Sequence, residues 1–344
     1  THVFEPLRIR GVDFKNRLEM APPSPNLADR EGRVTPEFVD FFRVIAQGGV
    51  AVIHVGNSVV DIREACDEER QLDLGSDACI LPLTRFVEMC HGYGAIASLE
   101  INHNGKDSDP DKTGRPAWSP SSLVPANELW RARRAGREPV PTVEMSPAKI
   151  AETVEQYARA AERCRRAGFK MCMIHGGHGN LIAQFASPLY NRRTDDWGGP
   201  LEQRARFARE VLDRVRALCG EDFVIEYRIS ADEIHPDGMH FEETLRFIEL
   251  IRDRVDILHV SAGLHGELEY MRNWWPNYLM DRMLNVHYAA DIKKAFPGLR
   301  VATVGAIMDI GSAEEILAAG KADFVAMCRP LLADPAMPRK YALG

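Results

Sequence analysis

Residues 146–174 read SPAKIAETVEQYARAAERCRRAGFKMCMI, and this stretch decides the fold class. Ser146 followed by Pro147 is a helix N-cap with proline at the first helical position. Ile150, Val154, Tyr157, Ala161 and Cys164 then recur at spacings of 4, 3, 4 and 3, an apolar stripe that Gly168 brings to an end. Phe169–Ile174 follows as a short apolar run, which reads as a buried strand. A helix handing straight over to a buried strand is half of a βαβ crossover, and crossovers build parallel sheets.

The module repeats in both directions. Downstream, helices at Leu201–Cys219, Phe241–Arg254, around Val286–Phe296, and from the capping box Ser312-Ala-Glu-Glu315 to Gly320 alternate with strands. Those strands are Phe223–Ile229, Asp256–Val260, Arg300–Val304 and Asp323–Met327. Upstream, Arg17–Ala21, Val50–Val55 and Ala95–Ile101 read as strands, separated by helices near Thr35–Gln47 and Leu81–His91. Eight strands in βα alternation match a closed (β/α)8 TIM barrel better than an open doubly wound sheet. The open sheet also lacks a G-x-G-x-x-G after its first strand. The expected organisation is therefore an α/β chain with one barrel domain over residues 1–344.

One stretch breaks the rhythm. Residues 103–147 hold seven of the 21 prolines, at positions 110, 116, 120, 125, 139, 141 and 147. A connection this long after the third strand reads as a lid-like loop insertion at the catalytic end of the barrel. Within it, Arg131, Arg133, Arg134 and Arg137 read as a solvated face, or, more sharply, as an anion-recognising rim.

Composition excludes several classes. The chain has 344 residues, a net charge of −7, 45% hydrophobic and 27% charged residues, ordinary values for a globular protein with a full core. No basic excess advertises nucleic acid, and apolar runs fall far short of the ~20 residues of a membrane span. The start, Thr-His-Val-Phe-Glu-Pro, lacks the pattern of a signal peptide. Seven cysteines at 66, 79, 90, 164, 172, 219 and 328 form no C-x-x-C, which argues against a disulfide framework and a zinc or iron–sulfur site. No metal and a cytoplasmic setting are expected, with a small-molecule substrate, and homo-oligomerisation is left open.

Barrels place their chemistry at strand C-termini. Here these ends carry Ala21-Pro22-Pro23-Ser24, Gly56-Asn57, Glu100-Ile-Asn102-His103, His175-Gly-Gly-His178, Arg228 and Ser261-Ala-Gly263 with His265 beyond. The last two carry Gly305-Ala306 and Cys328-Arg329, a faint phosphate signal, since a glycine admits close backbone approach and an arginine binds bidentately. His175 and His178 could relay protons, bind a metal or donate two hydrogen bonds to one oxygen. A metal would need a third ligand that the spacing does not show.

The stretch 174–207, IHGGHGNLIAQFASPLYNRRTDDWGGPLEQRARF, closely resembles the old yellow enzyme family. More specifically, it resembles the barrel domain of bacterial NADH:flavin oxidoreductases related to 2,4-dienoyl-CoA reductase, 2-enoate reductase and trimethylamine dehydrogenase. NRLEMAP (16–22), GKADFVA (320–326) and RPLLADP (329–335) resemble the same family's other signatures, so the likeness runs from about Phe4 to the last residue. The resemblance implies FMN at the barrel mouth and NAD(P)H as electron donor. Ala21, Pro22, Pro23 and Ser24 would lie against the flavin, Gly56 would leave room beside it, and Arg228 would face its N1/O2 edge. Gly305, Ala306, Cys328 and Arg329 would hold the FMN phosphate. His175 and His178 would hydrogen-bond a substrate oxygen, polarising it so that the β-carbon accepts hydride from flavin N5.

Two residues depart from the family's pattern. Glu100 stands where the family commonly has a glutamine beside the flavin pyrimidine. Asn180 stands where alkene reductases usually carry a proton-donating tyrosine, and an amide is no general acid near neutral pH. His265 or Tyr270, in the segment after strand six, is expected to replace that donor, with Asn180 kept as a substrate contact. The leading expectation is an FMN-dependent ene-type reductase of an α,β-unsaturated carbonyl or carboxylate. The rivals are a flavin dehydrogenase or demethylase, favoured by Glu100 and Asn180, and an electron-transfer domain. Trp274, Trp275 and Tyr278 suggest a bulky or ring-bearing substrate, and core packing explains them about as well. Longer relatives continue into a cysteine-rich [4Fe–4S] segment and an FAD/NADH domain. This chain stops at Gly344, near where those cysteines would begin, and is expected to be either a stand-alone barrel or the N-terminal part of a longer protein.

Overall fold

A computed structural model describes residues 1–266 and 268–344 of the chain. Eight strands form the barrel: β1 (Leu18–Met20), β2 (Val52–Val59), β3 (Ile96–Asn102), β4 (Met171–Gly176), β5 (Val224–Ser230), β6 (Ile257–Ser261), β7 (Arg300–Val304) and β8 (Phe324–Met327). Each pairs in parallel with its sequence neighbours, and β1 pairs with both β2 and β8, which closes the ring. The outer layer is α1 (Pro36–Gly48), α2 (Ile80–Gly92), α3 (Pro147–Arg166), α4 (Arg206–Cys219), α5 (Phe241–Ile251), α6 (Val286–Ala295) and α7 (Ile310–Ala318). A short α8 (Arg329–Ala333) follows β8.

Local chemistry explains the elements. The Ser146 side chain accepts from the Lys149 N–H at 3.2 Å, capping α3 ahead of Pro147. The apolar stripe of α3 is buried from Ile150 to Cys164. Strand residues are buried on both faces, inward to the barrel and outward to the helices, so they read as near-continuous apolar runs.

The barrel interior is built in levels. Successive inward positions on one strand are two residues apart. The lowest level is apolar: Val52, Ile96, Met171, Val224, Ile257, Ala302 and Phe324 pack with Phe14. Phe14 comes from an N-terminal antiparallel hairpin (Leu7–Ile9 with Val12–Phe14) that closes the bottom, its ring 5.2 Å from that of Phe324. Two residues higher on their strands stand His54, Ser98, Glu226 and His259, joined by Glu19 from β1, all fully buried. Two higher again are Glu100, His175 and Arg228, at the floor of the mouth.

Several boundaries differ from expectation. The helix at Leu201–Cys219 is two pieces, Leu201–Arg204 and Arg206–Cys219, joined at Ala205. The helix after β7 is capped by Asp309 rather than by the Ser312 box, because the Asp309 carboxylate accepts from the Ser312 N–H at 2.7 Å. Beyond Ile251, α5 tightens into a 3₁₀ turn at Arg252–Arg254. Residues 103–147 carry short helices at Pro110–Thr113 and Ala126–Ala135 and a parallel ribbon of Trp118–Ser119 with Val143–Glu144. Glu267, inside the expected donor segment, lies outside the described residues. Among the described residues, no helix is long and apolar enough to cross a membrane.

Candidate functional site

The strand ends open onto a cavity of about 410 Å³. Its β1 wall is Ala21, Pro22, Pro23 and Ser24. The Ser24 hydroxyl accepts from the Asn57 N–H at 2.9 Å, and Pro23 O accepts from the Gly56 N–H at 3.0 Å, fixing the ends of β1 and β2 together. Gly56 itself does not line the cavity. A Cβ there would meet Glu100 Oε2 at 2.6 Å and Pro22 Cβ at 3.0 Å, so the glycine lets Glu100 pack behind the wall.

Glu100 and Arg228 form the charged floor. Arg228 Nη1 donates to Glu100 Oε1 at 2.7 Å, and both residues are buried. Burial works to raise the Glu100 pKa, but the Arg228 guanidinium bonded to it outweighs burial and holds the carboxyl below its usual range. Arg228 Nε is buried beside this pair without a hydrogen-bond partner among the described residues. An unpartnered guanidinium N–H is costly, so it marks a place for an acceptor.

Gly305, Ala306, Cys328 and Arg329 line the opposite side. Gly305 has φ +131°, and an added Cβ would stand 2.5 Å from Asn285 Nδ2. That amide donates to Val304 O at 2.9 Å, and the Ala306 carbonyl accepts from the Met283 N–H at 3.1 Å, so the β7 loop is pinned from below. Arg329 is exposed and makes no ion pair among the described residues. Burial raises the pKa of the Cys328 thiol.

The two histidines separate. His175 lines the cavity, whereas His178 is fully buried behind it. His175 Nε2 lies 2.8 Å from His178 Nδ1, and His178 Nε2 lies 2.8 Å from Ser261 Oγ. Both ring nitrogens of His178 are thus engaged away from the cavity, so the expected pair of donors to one oxygen is not formed. Burial pushes His175 down to about 4 and His178 well below its usual value, so both are neutral. Asn180 lines the cavity, its Nδ2 3.2 Å from His175 Nδ1.

Of the two expected proton donors, His265 reaches the cavity and Tyr270 does not. The Tyr270 ring packs 4.7 Å from that of His235, and its carbonyl accepts from the Leu264 N–H. His265 Nδ1 is 3.7 Å from Asp107 Oδ2. Burial opposes its charge, but Asp107 outweighs burial and raises the pKa. Asp107 is held by Lys106 Nζ at 2.7 Å and by Asn127 Nδ2 at 2.7 Å, the latter from the helix of the 103–147 insertion. Trp274 and Trp275 also line the cavity, whereas Tyr278 is 92% exposed and does not.

Arg131 and Arg137 pair with Glu128, and Arg134 lies over Trp130, so these members of the basic run face the insertion's own groups. Sequence reading missed Asp67 and Glu68, which join the lining from the loop after β2. Burial and Glu68 push Asp67 up to about 7, and burial raises Glu68. It also missed Glu19, His54, Glu226 and His259, which meet inside the barrel although metal was not expected. Their signal was there: four ionisable side chains inside strand segments that are mostly apolar.

Comparison with known proteins follows the same outline. Residues 2–344 match the family described as NADH:flavin oxidoreductase / NADH oxidase. A curated NADH oxidase of Thermoanaerobacter brockii is 36% identical over 345 residues, covering 100% of this chain and 51% of that protein. The chain thus spans about half the length of that relative. A 2-naphthoyl-CoA reductase in complex with 2-naphthoyl-CoA shares the fold at a TM-score of 0.90 and 24% identity, over 100% of this chain and 52% of the other. An old yellow enzyme homologue from Zymomonas mobilis shares it at a TM-score of 0.81 and 20% identity, over 100% of this chain and 93% of the other. The chain belongs to the NADH:flavin oxidoreductase / NADH oxidase family.

Proposed function

We propose that this barrel binds FMN and, with electrons originating from NAD(P)H, reduces the carbon–carbon double bond of an α,β-unsaturated carbonyl or carboxylate. The observation that carries the reading is the unpartnered Arg228 Nε beside its ion pair with Glu100, at the floor of the strand-end cavity. A guanidinium there suits the flavin edge that becomes negative on reduction, and the Glu100 carboxylate, which lines the same cavity, can accept from the ring's imide N–H. Gly305, Ala306 and Arg329 offer backbone approach and a cation at the other end, as a phosphate needs. Bound FMN supplies the hydride chemistry.

The protein's own groups supply the rest. An order in which each link has one donor runs from Asn180 Nδ2 to His175 Nδ1, from His175 Nε2 to His178 Nδ1, and from His178 Nε2 to Ser261 Oγ. This leaves the second Asn180 amide hydrogen for the substrate oxygen, so Asn180 is the contact and the histidines position it. His265, whose protonated form the nearby Asp107 carboxylate favours, supplies the proton taken up at the α-carbon. Trp274 and Trp275 present ring faces to a flat substrate.

A second reading, oxidation of an amine, is favoured by the carboxylates of Asp67, Glu68 and Glu100 around one cavity, which suit a cation. Steady-state NADH oxidation by the flavin-loaded protein separates the two. The first reading expects acceleration by cyclic enones or enoates and no bleaching of the oxidised flavin by amines. Bleaching by amines, with no response to any enone, selects the second.

A further inference from the structure

The level beneath the cavity floor holds an assembly that the flavin chemistry does not use. Glu19 on β1, His54 on β2, Glu226 on β5 and His259 on β6 point into the barrel with no exposed surface. One ligand atom from each lies within 4.8 Å of all the others. In the ring, β1 and β2 are neighbours, β5 and β6 are neighbours, and the two pairs face each other across the barrel. We infer that these four side chains bind a divalent first-row transition cation of the zinc type, which braces opposite walls of the barrel.

The hydrogen bonding argues for an ion. Both oxygens of Glu19 and both ring nitrogens of His54 are buried without a hydrogen-bond partner, as is Glu226 Oε2. Buried carboxylates without partners are among the costliest arrangements in a protein. If protonated imidazoles answered the charge, the nitrogens nearest Glu19 would stand at hydrogen-bond distance. Instead His259 Nδ1 is 3.6 Å and His54 Nε2 is 3.7 Å from Glu19 Oε2. His54 Nε2 is 3.2 Å from Glu226 Oε2, and His259 Nδ1 is 2.8 Å from Glu226 Oε1. Ligands on a tetrahedral zinc are separated by about 3.3 Å, given zinc–ligand bonds of about 2.0–2.1 Å. His259 Nδ1 and Glu226 Oε1 are hydrogen-bonded to each other, whereas both contacts of Glu19 are longer than a hydrogen bond and, like the 3.2 Å between His54 and Glu226, lie close to that value.

Charge and donor type agree. Two carboxylates and two neutral imidazoles around a divalent cation sum to zero, the least costly state for a dry interior. A set of two nitrogen and two oxygen donors suits zinc, with manganese and iron(II) as weaker binders of the same ligands. With four protein ligands and no solvent access, the site is closed and structural, and the cation enters as the barrel forms.

The test is metal content and coordination of the flavin-loaded protein expressed in zinc-supplemented medium and dialysed against a weak chelator. The expectation is about one zinc, manganese or iron per chain, falling to less than about a tenth of that in Glu19→Gln and His54→Gln. X-ray absorption at the metal edge should show four nitrogen and oxygen neighbours, imidazole scattering and no sulfur. Wild-type protein without metal after supplementation, or equal metal in wild type and variants, overturns the inference. Should the variants fail to fold, the wild-type spectrum decides alone, and a sulfur-containing or six-oxygen shell overturns it.

Discussion

Two polar levels inside one barrel behave oppositely. At the upper level, Arg228 and Glu100 pair with each other and line an open cavity, with the buried Arg228 Nε left without a partner among the described residues. At the lower level, two residues down the same walls, Glu19 and Glu226 meet His54 and His259 with most polar atoms unpaired and no opening to solvent. The strand period of two assigns both sets to the interior, and what lies above each set assigns the role. A charged group beneath a cavity recognises a ligand that comes and goes. A charged group sealed below it must be neutralised by something that stays.

The comparison breaks most directly at Arg228. Arg228→Ala leaves the Glu100 carboxylate buried without its partner, and losing one half of a buried pair costs about 3 kcal/mol or more. FMN affinity, followed by quenching of flavin fluorescence, should weaken on the order of 100-fold. Unchanged affinity would remove the upper level from the flavin site.

Next is His265. Asp107 raises its pKa above the usual histidine value against the opposing effect of burial, so the protonated donor survives to higher pH than in a free imidazole and is lost as pH rises through that raised pKa. Single-turnover enone reduction should therefore fall on the alkaline side. His265→Ala should slow the reaction on the order of 100-fold and abolish that limb of the profile. Tyr270→Phe, away from the cavity, should leave both unchanged.

The sign of a smaller effect separates the levels. Glu19→Gln removes a metal ligand and should destabilise the fold by about 2 kcal/mol in thermal unfolding of the zinc-replete protein. If Glu19 were an unanswered charge, the same change would stabilise the barrel. The smallest effect is at the rim: Ser24→Ala loses the 2.9 Å bond from the Asn57 N–H, about 1 kcal/mol, read as a severalfold rise in the FMN dissociation constant.

The eight strands were legible because each is a short apolar run flanked by a capped amphipathic helix, as at Ser146–Ile174. Boundaries shifted by a few residues where a side chain outside the helix competed for the cap, as Asp309 does with Ser312. The N-terminal hairpin was not legible, since Leu7–Phe14 is too short for periodicity to speak and its reason is the open barrel bottom. The cavity wall was read through strand ends and family motifs, both local in sequence. The separation of His175 from His178 was not, because it depends on Ser230 of β5 and Ser261 of β6. Asp67, Asp107 and the four-residue cluster likewise become visible only when distant strands and loops are brought together.

The proposed reaction sends electrons from this cavity into an activated double bond. The FMN-loaded protein, reduced anaerobically and mixed in a stopped-flow instrument with a panel of enones, enoates and enoyl-CoA esters, tests it directly. Rapid return of oxidised-flavin absorbance is expected with at least one of these classes, with one saturated product formed per flavin. Flavin that stays reduced against every acceptor, while amines bleach its oxidised form, would contradict it.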